Sequence, residues 1–247
     1  PRSTLFPYTT LFRSIHQVLD TNSIKLLFVA ATATEGRVYE SVTRMRTSSG
    51  TNSFNTCEPE LLITGIGAVA TAWALTSRLR SGKRPSMVIN LGIAGSYRND
   101  IGIGEVVMPV TDLFADSGID TPGGLMTLSE AGLQNPDQHP FTGDRIIAEG
   151  SHVTAAAEKF RSVNAVTVNA ATGSEERIRL ITGKFNPDIE TMEGAAFFYV
   201  CRMERIPFLA LRAVSNRVEP RDRNKWDIPL ALANLEEGLP ELIKLLC

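Results

Sequence analysis

Apolar residues along this chain gather in short, nearly unbroken runs, separated by glycine turns and by segments with helical spacing. Residues 24–31 (IKLLFVAA) form the first run, the pattern of a parallel strand covered on both faces. A second run, residues 61–64 (LLIT), stops at Gly65-Ile66-Gly67, and residues 68–79 continue with apolar positions at helical spacing. Residues 87–91 (MVINL) read as a third strand ahead of Gly92-Ile93-Ala94-Gly95, and residues 105–109 as a fourth. The stretch 116–138, rich in Gly, Asp, Pro and Ser, predicts a long loop excursion. Beyond it, residues 163–169 and 208–214 predict strands, residues 189–192 a strand end, and residues 175–181, 194–205 and 228–246 helices.

Strands alternating with helices predict an α/β fold, a single domain over residues 24–247 with a central mixed, largely parallel sheet flanked by helices. Ligands in such sheets gather beyond the carboxyl ends of the strands. That rule singles out residues 32–35, 65–67, 92–96, 169–173, 192–193 and 215–216. Residues 4–14 (TLFPYTTLFRS) read like translated sequencing adapter, so residues 1–14 are expected to form a disordered leader outside the domain.

Composition narrows the function classes. The 247 residues are 43% hydrophobic, enough for one well-buried core. A net charge of −2 gives no basic excess for a nucleic-acid backbone, and no apolar run reaches the roughly 18 residues that would span a membrane. Neither partner is expected; a small neutral or weakly anionic molecule is. Cys57, Cys201 and Cys247 are odd in number and lack C-x-x-C spacing, which predicts reduced thiols and a cytoplasmic location. His16, His139 and His152 are scattered, so no metal site is expected.

Taken singly, the candidate residues each admit a bland reading. Gly65-x-Gly67 and Gly92-x-x-Gly95 fit tight strand-to-helix turns, or backbone approaching a ligand where a Cβ would obstruct it. Glu35 fits a solvated loop acid. Glu193 fits a helix-start acid favoured by the dipole, or a carboxylate that accepts from a sugar diol. Asn216 alone reads as a turn residue.

As an ordered set, LLITGIGAVATA (61–72), INLGIAGS (89–96), ETMEGAA (190–196) and RAVSN (212–216) resemble the nucleoside phosphorylase/nucleosidase superfamily. The likeness runs from about residue 24 to the C-terminus, and residues 190–235 are especially similar to the futalosine hydrolases of menaquinone biosynthesis. The resemblance implies cleavage of a purine N-glycosidic bond without metal or organic cofactor. Through it, Glu35 becomes the general base for the attacking water and Glu193 the holder of the ribose hydroxyls. Met192 becomes a wall of the sugar site, Ile66 an apolar wall near the 5′ side, and Ala94 and Gly95 backbone contacts to base or sugar. Trp226 falls where relatives place an aromatic lid; a core aromatic is the other reading. Self-association into a homo-oligomer is implied as well.

Asn216 departs from relatives acting on 6-aminopurines, which carry Asp. A 6-oxopurine presents acceptors at N7 and O6, and an amide NH₂ has two hydrogens to offer them, so hypoxanthine is the expected leaving base. Arg217, Arg221 and Arg223 are candidates for pairing with the benzoate of futalosine, each more readily read as part of a solvated basic loop. A phosphorylase would need a strong anion site, for which Arg37 is the only nearby candidate, and an acid at Glu35 suits water better than phosphate. A methylthioadenosine/adenosylhomocysteine nucleosidase, a purine nucleoside phosphorylase and a non-catalytic nucleoside-binding protein stand as alternatives.

Overall fold

The computed structural model describes residues 24–48, 57–220, 222 and 225–246. The leader at 1–14, His16, Arg221, Arg223 and Cys247 lie outside them.

Strand β1 (Ile24–Ala30) leads through Thr32 into the short helix α1 (Ala33–Gly36), a 3₁₀ turn and helix α2 (Glu40–Ser48). Then come β2 (Cys57–Ile63), α3 (Ala68–Ser81), β3 (Met87–Ser96) and β4 (Val106–Asp112). The expected excursion carries a separate hairpin, β5 (Gly118–Thr121) and β6 (Gly124–Thr127), followed by β7 (Phe141–Thr142) and β8 (Arg145–Ile147). Helix α4 (Ser151–Ala157), β9 (Arg161–Thr167), α5 (Glu175–Phe185), β10 (Ile189–Thr191), α6 (Gly194–Met203), β11 (Phe208–Arg217) and α7 (Ile228–Leu246) complete the order.

The apolar runs form strands because both faces are covered: in β11 every residue from Phe208 to Asn216 is buried. Strand β1 pairs in parallel with β2 and β3, and β3 pairs in parallel with β11. Antiparallel pairings β11–β4 and β10–β3, with parallel β4–β9 and β10–β9, then join β3, β11, β4, β9 and β10 into a closed ring. A small core of Ala94, Ile101, Val107, Val163, Ala165, Ile189 and Val214 belongs to these strands and their connections, while the main core lies between the sheet and helices α3, α6 and α7. One expectation needs correction. Residues 92–96 are not a post-strand loop: β3 continues through them to Ser96, because its glycines still pair with β11 and β10.

A second correction concerns the thiols. Cys57 is disulfide-bonded and Cys201 is free and buried, where three reduced thiols were expected; an odd count forbids complete pairing but not a single bridge. Among the described residues no helix is long and apolar enough to cross a membrane.

Candidate active site

Glu35 owes its place to local chain chemistry. Thr32 caps α1 and, with Glu35, completes a capping box: Thr32 Oγ1 accepts from Glu35 N–H (3.2 Å), while Thr32 N–H and O–H donate to Glu35 Oε2 (3.0 and 2.8 Å). The other carboxylate oxygen, Oε1, accepts from Ile93 N–H at 3.2 Å. The acid is therefore pinned to strand β3 and is not a loose loop residue. A carboxylate has about four acceptor directions; three are taken here, leaving about one for a further donor.

Glu193 stands at the N-cap of α6 but makes no cap bond there; its Oε1 accepts from Gly67 N–H at 2.8 Å. Gly65 and Gly67 take φ of +90° and +96°, which explains why glycine occupies both places of the turn. Gly67 in turn caps α3, so Glu193 faces the positive end of that helix. Burial raises the Glu193 pKa above the ordinary carboxylate value; the Gly67 N–H and the charge of Arg212 oppose the rise, and Glu35 adds to it.

Arg212 supplies the balancing cation. It is 2% exposed on β11 and donates to the carbonyls of Asn90 (3.2 Å) and Leu211 (3.0 Å) and to Asn90 Oδ1. Asn90 is itself anchored through Nδ2 to the Val29 carbonyl at 3.0 Å. Burial lowers the Arg212 pKa, and the charges of Glu193, Glu35 and Asp112 pull it back up. One cation thus serves three acids. Arg212 carries no assigned role in the RAVSN motif, yet an arginine inside an otherwise apolar strand needs acids nearby.

At the other end of the site, a β-bulge at Ser215 shifts the β11 register, pairing Val214 with Ala94 and Asn216 with Gly95. Such a bulge re-aims the side chain that follows it. Asn216 Oδ1 accepts from Ser215 O–H (2.9 Å) and Nδ2 donates to the Arg217 carbonyl (2.8 Å). The expectation of two free amide hydrogens is thereby corrected: one is engaged and one remains. Asp227 N–H donates to the Ser215 carbonyl at 2.8 Å, holding the segment that bears Trp226 against the same strand end.

All eight residues singled out beforehand, Glu35, Ile66, Ala94, Gly95, Met192, Glu193, Asn216 and Trp226, line one cavity of about 400 Å³. Thr172, Thr191, Ser215 and Glu190 line it too. Glu190 was missed; it sat in the quoted ETMEG motif with no signal separating it from a core strand residue. Arg217 does not join the lining, and its Nη2 donates to the Asn99 carbonyl at 3.0 Å. Arg37, the one cation considered for a phosphate, is exposed in the 3₁₀ turn. Among the described residues no group of three or more His, Cys, Asp or Glu side chains is placed to hold a metal ion.

The family profile described as the phosphorylase superfamily matches residues 28–247. The chain is 31% identical over 194 residues to the futalosine hydrolase of Streptomyces coelicolor, covering 76% of this chain and 79% of that one. Among solved structures, the native futalosine hydrolase of Helicobacter pylori strain 26695 is similar with a TM-score of 0.71 and 17% identity, over 89% of this chain and 97% of that one. A 5′-methylthioadenosine/S-adenosylhomocysteine nucleosidase from Helicobacter pylori, crystallised with butyl-thio-DADMe-Immucillin-A, gives 0.72 and 16%, over 90% and 98%. At these identities the two structures share the fold.

Proposed function

The chain belongs to the phosphorylase superfamily, alongside the futalosine hydrolases, and on that footing we propose that it hydrolyses the N-glycosidic bond of futalosine, releasing hypoxanthine and dehypoxanthine futalosine in menaquinone biosynthesis. One observation carries the reading: Glu35, Glu193 and the Asn216 amide line a single cavity.

Cleavage of such a bond passes through an oxocarbenium-like sugar and needs a placed water, held hydroxyls and a stabilised leaving base. Glu35, fixed by Thr32 and Ile93, keeps one acceptor direction for a water and takes its proton as it attacks the anomeric carbon. Glu193 accepts from the ribose hydroxyls. Arg212 does not line the cavity, and its charge opposes the burial-driven rise in the Glu193 pKa. Met192 and Ile66 wall the sugar and its 5′ side, Trp226 covers the nucleoside, and Ala94 and Gly95 bring bare backbone to the base. The free hydrogen of Asn216 donates to the purine N7–O6 edge, where negative charge develops as the bond breaks.

Two carboxylates at the sugar end, with no cation among the described residues of the lining, favour water over phosphate as nucleophile. Self-association belongs to the same proposal: Ile66 at the cavity lining continues into Val69 and Trp73, which are 82% and 76% exposed on α3, an apolar stripe suited to a second copy. So does a cytoplasmic location, in keeping with a small metabolic intermediate as substrate. Chromatography of products after incubation with futalosine, with and without phosphate, tests the reaction type. Dehypoxanthine futalosine and hypoxanthine at equal rates in both are expected; phosphate-dependent turnover to a sugar 1-phosphate would replace the hydrolase with a phosphorylase.

A further inference from the structure

Three adjacent strands place Asn216, Gly95 and Glu190 in one row: Asn216 of β11 pairs with Gly95 of β3, and Gly95 pairs with Glu190 of β10. Two strand spacings separate the outer pair, about 10 Å. Between them a β-carbon on Gly95 would stand 2.9 Å from Val218 Cγ2, 3.2 Å from Asn216 Nδ2 and 3.5 Å from Glu190 Cγ, so the outer two side chains converge where the glycine has none. Gly95 and both outer side chains line the cavity, so a base bound there meets the amide and the carboxylate at neighbouring positions of its edge.

Glu190 is built in, at 7% exposure. Thr172 N–H donates to its Oε1 at 2.9 Å and Tyr97 O–H to its Oε2 at 2.5 Å. Burial and the charge of Glu190 push the Tyr97 hydroxyl above its ordinary value, so it stays a donor. Two donors on this wall, the Thr172 amide and the Tyr97 hydroxyl, are thus both engaged by Glu190. What Glu190 itself has left is acceptor: two of roughly four carboxylate directions remain open. Asn216, with one hydrogen already on the Arg217 carbonyl, reads the N7–O6 edge with a single donor, which leaves much of the discrimination to another group.

A 6-oxopurine carries a hydrogen on N1, whereas a 6-aminopurine has a lone pair there. We propose that Glu190 accepts the N1–H of the leaving base and is the second determinant, with Asn216, of selectivity for 6-oxopurine over 6-aminopurine nucleosides. The inference rests on the futalosine reading and names the residue that would enforce it. A lone pair at N1 against this carboxylate is repelled and unpaired, the kind of mismatch that a polar pocket rejects most strongly.

The test compares kcat/KM for futalosine, its 6-amino counterpart and its N1-methylated analogue in the wild type, Glu190→Gln and Glu190→Ala. The ratio of two substrates within one preparation is independent of how much of a variant is folded. Glu190→Gln should lower the 6-oxo to 6-amino ratio about 10- to 100-fold, as expected for loss of one charge-assisted hydrogen bond. N1-methylation should cost the wild type at least about 10-fold, and Glu190→Ala, which has neither acceptor nor bulk, should shrink that cost. Unchanged ratios in both variants, with the wild type still active on futalosine, would overturn the role of Glu190 alone. A wild type that leaves futalosine intact and cleaves the 6-amino counterpart would overturn the parent reading as well.

Discussion

Gly92 and Glu35 are fitted to each other: a β-carbon on Gly92 would stand 2.8 Å from Glu35 Oε1, the oxygen that the neighbouring Ile93 N–H holds. The glycine is required by this approach, since its backbone is ordinary extended strand. Gly92→Ala should displace the carboxylate and lower kcat about 10²-fold with little change in KM, as should Glu35→Gln through loss of the base. Steady-state kinetics on both variants decide this, and an unchanged kcat in Glu35→Gln would remove that residue from the chemistry.

Arg212 ties the acids to the pH profile. Burial raises the Glu193 pKa and Arg212 opposes that rise, so kcat/KM should fall as pH drops through the raised value and Glu193 gains a proton. Arg212→Met removes the opposing charge and should move this acidic limb to higher pH, while costing about 3–5 kcal/mol of stability by leaving buried partners unmatched. A limb that stays in place would separate Arg212 from Glu193.

Asp112 makes a further, independent pH effect. It is fully buried, and desolvation pushes its pKa to about 7, against the opposing bonds from Thr167 O–H and Leu113 N–H and the charge of Arg212. The folded state therefore holds a proton that the unfolded chain releases near pH 3.8. Its contribution to stability is full below that pH and is lost as pH rises to about 7. Asp112→Asn, a neutral isostere, should flatten the decline, and denaturant midpoints for the two proteins between about pH 5 and 8 measure it. Parallel curves would contradict the assignment.

Much of this was readable from the chain, and the reasons for the rest are physical. Runs such as 24–31 and 208–214 announce themselves because a strand buried on both faces has to be apolar throughout. Closure of the ring was not readable: it depends on antiparallel pairings of β10 with β3 and of β11 with β4, two residue pairs each, between segments distant in sequence. Helix α1 is too short to show a period, yet its Thr32–Glu35 capping box was there to be seen. The eight cavity residues were legible through motif resemblance and strand-end position together. Arg212, Gly92 and Glu190 were not, because their roles exist only across neighbouring strands.

The apolar stripe on α3 sets a test of assembly. Trp73→Glu should shift the protein toward monomer and, because Ile66 at the same end of the stripe lines the cavity, raise KM. Sedimentation velocity over a concentration series gives the first result and kinetics the second. A wild type that is monomeric at all concentrations would contradict the proposed self-association.

Competition between futalosine and methylthioadenosine, with the released bases separated by chromatography, bears most directly on the substrate. Hypoxanthine should appear from the first with little or no adenine from the second, and Asn216→Asp should move the balance toward adenine. Adenine release by the wild type, with the hypoxanthine nucleoside left intact, would contradict the assignment.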